Sequence, residues 1–225
     1  MIPLKDNIPA KHFPVVNVSL IVVNVLVFVY ELKLGPDLEY FMVTFGFVPA
    51  RYVLLGKVNF FDPARYLPML TSMFLHSGFF HLLANMWMLW IFGDNVEDSM
   101  GRVRYLCFYL LCGVAAVVLH FWSSPASSLP MLGASGAIAG VLGGYLLLFP
   151  KARILTLFPI FIFFSIIEVP AYFFLGGWFL LQFVQATFQQ LMLGEILGGG
   201  VAWWAHVGGF GAGALLVHFF RNDRP

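Results

Sequence analysis

Three polar clusters interrupt otherwise apolar stretches of this chain: His81-Leu-Leu-Ala-Asn85, Gly133-Ala-Ser135-Gly136, and Ala205-His206 running into a glycine-rich segment. Polar side chains held away from water are costly, so their presence there points to function. A hydroxyl beside an imidazole is the minimal base-activated nucleophile: the ring takes the hydroxyl proton during attack and returns it to a leaving amine. Ser135 and His206 offer those two groups, and the chemistry they imply is amide hydrolysis. A serine at a helix start also has unpaired backbone N–H groups beside it, which suit a developing negative charge. His81 and Asn85, four residues apart on one helix face, would add side-chain donors to the same oxyanion site.

Composition fixes the solvent in which those groups must be positioned. Of 225 residues, 60% are hydrophobic and 10% charged, and the mean hydropathy is +0.88. These values predict an all-α integral membrane protein with several helical spans, whose surroundings are the lipid bilayer. A net charge of +1 without any basic cluster gives no reason to expect nucleic acid as a partner. No Cys/His set has metal spacing and no phosphate-binding loop occurs, so neither metal nor cofactor is expected. Cys107 and Cys112 fall in one apolar segment, at a separation along a helix that disfavours a mutual disulfide. The first apolar stretch has no cleavable-signal pattern before it and is expected to remain as a span.

Six spans are predicted, over about 15–30, 79–92, 105–122, 135–149, 171–188 and 201–220, with a membrane-associated first loop over 31–78. The whole of 1–225 then reads as one transmembrane domain. Between Ile154 and Phe188 lies more apolar sequence than one helix needs, interrupted by Glu168 and Pro170. Ile154 to Ile167 therefore reads as an interfacial or re-entrant piece that ends at the proline. The basic residues Lys5 and Lys11, Arg102 and Arg104, Lys151 and Arg153, and Arg221 and Arg224 share one side only if the number of spans is even. Both termini are then cytoplasmic.

The fourth span is short, rising only about 22 Å against roughly 30 Å of hydrocarbon, so Ser135 is expected at the floor of a cavity. The turn-forming loop Ser123 to Pro130 must dip inward to reach it. Gly136, Gly140 and Gly144 flatten one face of this helix, and Gly209 and Gly213 do the same for the sixth, one turn after His206. Packing the two faces together would bring His206 to Ser135.

With these residues in place the chain resembles the rhomboid family of intramembrane serine proteases, of the six-span bacterial or archaeal type. The resemblance rests on His-x-x-x-Asn in span two, Gly-x-Ser-Gly opening a short, central fourth helix, and Ala-His-x-x-Gly in span six, in the family's order. Thr71 to His76 before span two, and Phe92-Gly93 to Glu97 at its cytoplasmic end, are similar as well. The resemblance implies Ser135 as nucleophile and His206 as general base without a carboxylate, with His81, Asn85 and the Ser135 backbone N–H as the oxyanion hole. It also implies transmembrane proteins as substrates, entering between spans two and five beneath a cap loop over Gln189 to Gly200 whose glycines, Gly194 and Gly198 to Gly200, let it move. The location it implies is the plasma membrane. Two departures stand out. Leu67-Pro68, with Arg65-Tyr66 just upstream, replaces a Trp-Arg pair of some members, and Ala139 replaces a tyrosine that some members set against the histidine ring. A neutral imidazole held by packing is the expectation for His206.

Other readings exist for each feature. Gly-Ala-Ser-Gly alone more often marks helix packing, Asn85 alone would be interhelical glue, and Trp203-Trp204 reads as an interface belt. As a whole, the chain could be a catalytically silent relative that binds transmembrane clients, though such proteins usually lack the serine or histidine. A small channel or transporter is disfavoured by the absence of an internal repeat. Nothing in the sequence fixes the oligomeric state.

Overall fold

A computed structural model describes residues 1–160, 163–193 and 201–222. Its elements in chain order are β1 (Ile2–Asp6), α1 (Val15–Glu31), α2 (Leu38–Phe45), α3 (Pro49–Val58), α4 (Pro63–Tyr66), α5 (Pro68–Thr71), α6 (Phe79–Met100), α7 (Arg102–Ser123), α8 (Ser135–Leu148), β2 (Arg153–Ile160), β3 (Phe163–Pro170), α9 (Ala171–Phe188) and α10 (Trp203–Phe220). The cap-loop residues 194–200, including Gly194 and Gly198 to Gly200, lie outside the described residues.

The fold is inside-out relative to a water-soluble domain. Leu26, Trp90, Leu180 and Leu215 are exposed, whereas Asn17, Asn24, Asn85, Glu97, Gln182 and His206 are buried. That is the distribution required when the outer solvent is lipid and polar groups must find partners within the bundle. Arg102–Ser123 and Ala171–Leu191 are each long and apolar enough to cross a membrane, and α8 is apolar but shorter. The protein is a multi-pass membrane protein.

Helix α8 packs against α6, α7, α9 and α10. Each residue from Gly136 to Tyr145 is buried, so no face of this helix meets lipid along that stretch. Helices α6 and α7 are joined through Gly101 alone, whose φ of +79° lies in the left-handed region that a side chain rarely adopts. After α1 the chain bends by 117° into α2, which starts a first loop built of short helices. Arg51 donates to the carbonyls of Val43, Thr44 and Gly46 at the end of α2. Arg65 stacks over the rings of Tyr52 and Phe60, 4.1 and 4.5 Å from their centroids.

The expectation of an all-α fold is corrected by a three-stranded antiparallel sheet in the order β1-β2-β3. Of Ile154 to Ile167, expected as an interfacial or re-entrant piece, the described residues belong to the antiparallel hairpin strands β2 and β3, with Thr156 opposite Ile167 and Leu155 opposite Glu168. Two runs rich in Ile and Phe favour strand over helix, and Pro159 would break a helix near their midpoint. What the hairpin lacks in local signal it gains from β1, which pairs along β2. Strand β1 lies against α6, while β2 and β3 contact α9. It is fastened there by Trp87 Nε1, which donates to the Pro3 carbonyl at 2.6 Å, and by Asp6, which accepts from Asn95 Nδ2 at 2.9 Å and from the Tyr145 hydroxyl. Burial holds the Asp6 carboxyl above the usual carboxylate range, against the opposing pull of the Tyr145 hydrogen bond.

Helix α1 begins after Pro14 with no side-chain cap of its own. Glu97 of α6 supplies one from across the bundle, accepting the backbone N–H groups of Val16 at 3.1 Å and Asn17 at 2.7 Å. Asn17 extends the tie: its Oδ1 accepts from Tyr105 of α7 at 2.8 Å, and its Nδ2 donates to the Leu89 carbonyl at 3.0 Å. Gly93 makes the room, since a Cβ there would lie 2.0 Å from Asn17 Oδ1. Replacing Glu97 by Ala strands two N–H groups inside the bundle and is expected to lower stability by about 1–3 kcal/mol. Thermal unfolding in detergent reads this, and an unchanged midpoint would dismiss the cap.

Candidate active site

The loop before α8 is set by the first loop beneath it. Phe47 and Met131 exchange backbone hydrogen bonds of 3.2 and 2.8 Å, and the Gly133 N–H donates to the Ser72 carbonyl at 2.9 Å. Thr71 is anchored in turn by its hydroxyl, which donates to the Phe45 carbonyl at 2.6 Å. The run from Thr71 to His76 thus supports the backbone that leads into Ser135. Gly133 has φ +114° and faces His81, where a Cβ would lie 2.7 Å from the ring. Two demands coincide at this position, a left-handed backbone and contact with an imidazole, and glycine meets both.

Ser135 opens α8, and no side chain caps that helix's first turn. The N–H groups there are free of any side-chain acceptor beside the hydroxyl. On α10, His206 turns its Nε2 to within 2.8 Å of Ser135 Oγ. The backbones that carry the two residues nearly touch. A Cβ on Gly209 would lie 1.9 Å from the Gly136 carbonyl oxygen, and one on Gly213 would lie 1.9 Å from that of Gly140. The glycines of α8 divide between two neighbours: Gly136, Gly140 and Gly144 face Ala116, Cys112 and Phe108 of α7 most closely. Gly143, which the sequence reading passed over, abuts the Phe210 carbonyl of α10, 2.2 Å from where its Cβ would be.

His206 is held on its other side by a residue that sequence reasoning missed. Gln182 of α9, buried itself, places Oε1 2.7 Å from His206 Nδ1. This hydrogen bond adds a polar partner to the packing expected to hold the ring. Packing contributes as well: the Trp178 ring lies 5.9 Å from the imidazole and the Trp203 ring meets it edge-on at 6.0 Å. Trp203, expected in an interface belt, instead lines the cavity. The available signal for Gln182 was an amide in an apolar helix, one of two there with Gln185, and the same criterion singled out Asn85.

Ser135, His206, Gln182, His81 and Asn85 all line one cavity of about 850 Å³. Asn85 Nδ2 is buried with no hydrogen-bond partner among the described residues. His81 Nδ1 lies 3.1 Å from Ser77 Oγ, which leaves its Nε2 turned to Gly133. Met1 and Pro3, at the start of the chain, also line the cavity, and β1 lies against α6. Among the described residues no group of three or more His, Cys, Asp or Glu could hold a metal ion. The arrangement can move a proton between a hydroxyl and an imidazole, and it presents spare N–H donors to an oxygen that gains charge nearby.

A helical membrane bundle with a serine hydroxyl bonded to a histidine in an interior cavity defines a multi-pass protein with a polar centre below its surface. The chain belongs to the rhomboid family: the model of the rhomboid domain matches residues 63–222. It is 34% identical over 149 residues to the human presenilin-associated rhomboid-like protein, mitochondrial, covering 64% of this chain and 36% of that protein. Its bovine counterpart is 34% identical over 141 residues, 61% of this chain and 34% of that protein. The rhomboid protease GluP of Bacillus subtilis is 42% identical over 78 residues, 35% of this chain and 15% of that protein. The chain thus spans about a third of the length of the mitochondrial relatives it matches.

The α8–α10 contact admits a controlled test, since Gly211 of α10 has no atom of the described residues within 4 Å of its would-be Cβ. Gly213→Ala is expected to cost about 1–3 kcal/mol by overpacking, and Gly211→Ala to cost nothing. Parallel thermal unfolding of the two variants decides the matter, and equal midpoints would refute close backbone contact.

Proposed function

We propose that this protein is an intramembrane serine endopeptidase that hydrolyses peptide bonds in or near transmembrane segments of other membrane proteins by a Ser135–His206 dyad. The observation that carries this reading is the 2.8 Å approach of His206 Nε2 to Ser135 Oγ inside a helical bundle. Membership of the rhomboid family and the similarity to a Bacillus rhomboid protease support it.

In this reading Ser135 donates its proton to His206 Nε2 as Oγ attacks the scissile carbonyl carbon. The carbonyl electron pair moves to oxygen, where His81, Asn85 and the Ser135 N–H stabilise it. Asn85 Nδ2 suits that role because its donor is unspent. The tetrahedral species then collapses, the C–N bond breaks, and the proton passes from Nε2 to the departing amine. Water enters, gives a proton to Nε2 and attacks the ester, and Oγ leaves with that proton. The cavity of about 850 Å³ offers room for an unwound segment and for that water. A substrate must unwind to react, because an intact helix keeps its carbonyls in hydrogen bonds.

We read the chain as one domain of six crossings, with α8 as the short fourth. Bonds at one end of the bundle bear on its orientation. Lys11 N–H bonds Asp98, Arg104 bonds Asn222, and the Arg153 N–H bonds Asn7, so the basic positions 11, 104 and 153 gather there. The positive-inside tendency makes that end, and both termini, cytoplasmic. On the likeness to the bacterial type, the membrane is the plasma membrane.

Fluorophosphonate labelling of the purified protein in detergent tests the proposal without knowledge of the substrate. Wild type is expected to label at Ser135, Ser135→Ala not at all, and His206→Ala about 10²-fold more slowly or less. Asn85→Ala is expected to slow reaction by about 10²–10³-fold through loss of one oxyanion donor. A folded wild type that takes no label, or label that survives Ser135→Ala, would rule out this reading and favour a silent client-binding relative.

A further inference from the structure

We infer that Gln182 is a positioning residue for His206, fixing the imidazole in the one tautomer that can accept the Ser135 proton; the inference rests on the dyad proposed above. The imidazole has two nitrogens, and in its neutral form one donates and the other accepts. For Ser135 to donate its O–H, Nε2 must be bare. The ring proton then sits on Nδ1, where it needs an acceptor because the imidazole is buried. Gln182 Oε1, 2.7 Å away, is that acceptor, and His206 and Gln182 are 8% and 5% exposed. An unmade bond to either buried group would be costly, so the amide and the ring constrain each other.

Among the described residues, other elements leave that task to Gln182. Ala139, one turn after Ser135 on α8, has only a methyl group and cannot hold the ring by a polar contact. Trp178 and Trp203 set the plane of the imidazole through ring contacts but do not distinguish Nδ1 from Nε2. Gln182 lies on α9, a helix that supplies neither nucleophile nor base. The register of α9 against α10 thereby becomes a condition for the correct proton location. A neutral amide in this position also avoids a buried carboxylate, whose desolvation in an apolar bundle would be severe. It does so while keeping the hydrogen-bond direction that a carboxylate would give.

Two measurements on the full chain in detergent test the assignment. The first is the rate of fluorophosphonate labelling, resolved into probe binding and maximal inactivation rate. Gln182→Met keeps the unbranched shape and removes the acceptor; it is expected to lower the maximal rate by about 10- to 100-fold with probe binding unchanged. Gln182→Glu carries a carbonyl-type acceptor at the same reach in either protonation state and is expected to recover about tenfold of that loss. Wild-type rates in Gln182→Met, or equal losses in Met and Glu variants, would overturn the role and leave Gln182 as a packing residue. The second uses the unaltered protein, so it does not depend on a variant folding. The imidazole 15N shifts of His206, assigned by difference from His206→Ala, are expected to show the proton on Nδ1, and a proton on Nε2 would overturn the inference. A wild type that labels at Ser135 while Gln182→Met matches it defeats only the role of Gln182; a folded wild type that does not label at all defeats the dyad and this inference together.

Discussion

The close approach of α8 and α10 is the constraint on which the rest of the structure depends. Ser135 and His206 are 71 positions apart, and a hydrogen bond of 2.8 Å between them demands helix axes closer than ordinary side chains allow. Gly209 and Gly213 remove the obstacle, since any Cβ there would stand 1.9 Å from a carbonyl oxygen of α8. In a bilayer little hydrophobic force pushes helices together, because lipid tails are as apolar as leucine. Shape is therefore the main source of attraction, and glycine rows let backbone meet backbone over the length of the contact. The same rows make α8 dependent on its surroundings. Buried without interruption from Gly136 to Tyr145, it carries little side-chain bulk along its glycine faces and leans on the helices around it.

Stiffness comes instead from polar ties at the two ends of the bundle. At one end, Glu97 and Asn17 join α1, α6 and α7, and Asp6 joins the N-terminal strand to α6 and α8. At the other, Ser72 and Phe47 hold the loop that enters α8 by backbone hydrogen bonds. These bonds are worth more in lipid than their number conveys, because a broken one cannot be replaced by water. Each tie sits away from the serine, yet each fixes a helix or loop that touches α8. The hydroxyl and imidazole inherit their geometry from contacts made one or two turns away.

Much of the candidate site is legible in the sequence because a polar residue in an apolar helix announces itself. Ser135, His206, His81 and Asn85 can be picked out this way, and ordered motifs tie them to one family. Gln182 carries the same signal but belongs to no motif, and its value depends on the rotation of α9 against α10, which spacing does not encode. Trp203 misleads for a related reason. A tryptophan near a helix end suits a membrane interface, and only the tertiary packing turns this one toward the cavity. The helices themselves follow from long apolar runs, whereas the sheet does not. Strands β2 and β3 show no alternation of polar and apolar residues, and β1 pairs with β2 across about 150 positions of sequence. A segment that is apolar on all sides reads as buried whichever regular structure it adopts.

The resting site also keeps a deficit. Among the described residues Asn85 Nδ2 is buried without a partner, and the first turn of α8 has no side-chain cap. An unsatisfied buried donor costs about 1–3 kcal/mol, enough to matter in a bundle whose net stability is modest. Replacing Asn85 by an apolar residue, or capping α8 with an aspartate, would relieve that cost. The first change would remove a donor and the second would spend the N–H groups before a charge arrived. Under the proposed chemistry the unspent donors gain most when an oxyanion forms beside Ser135, so the free energy withheld from the resting state is returned at the transition state. The dense contact of α8 with α10 is then more than a scaffold for two side chains. It is what allows the protein to carry an unsatisfied polar centre at all.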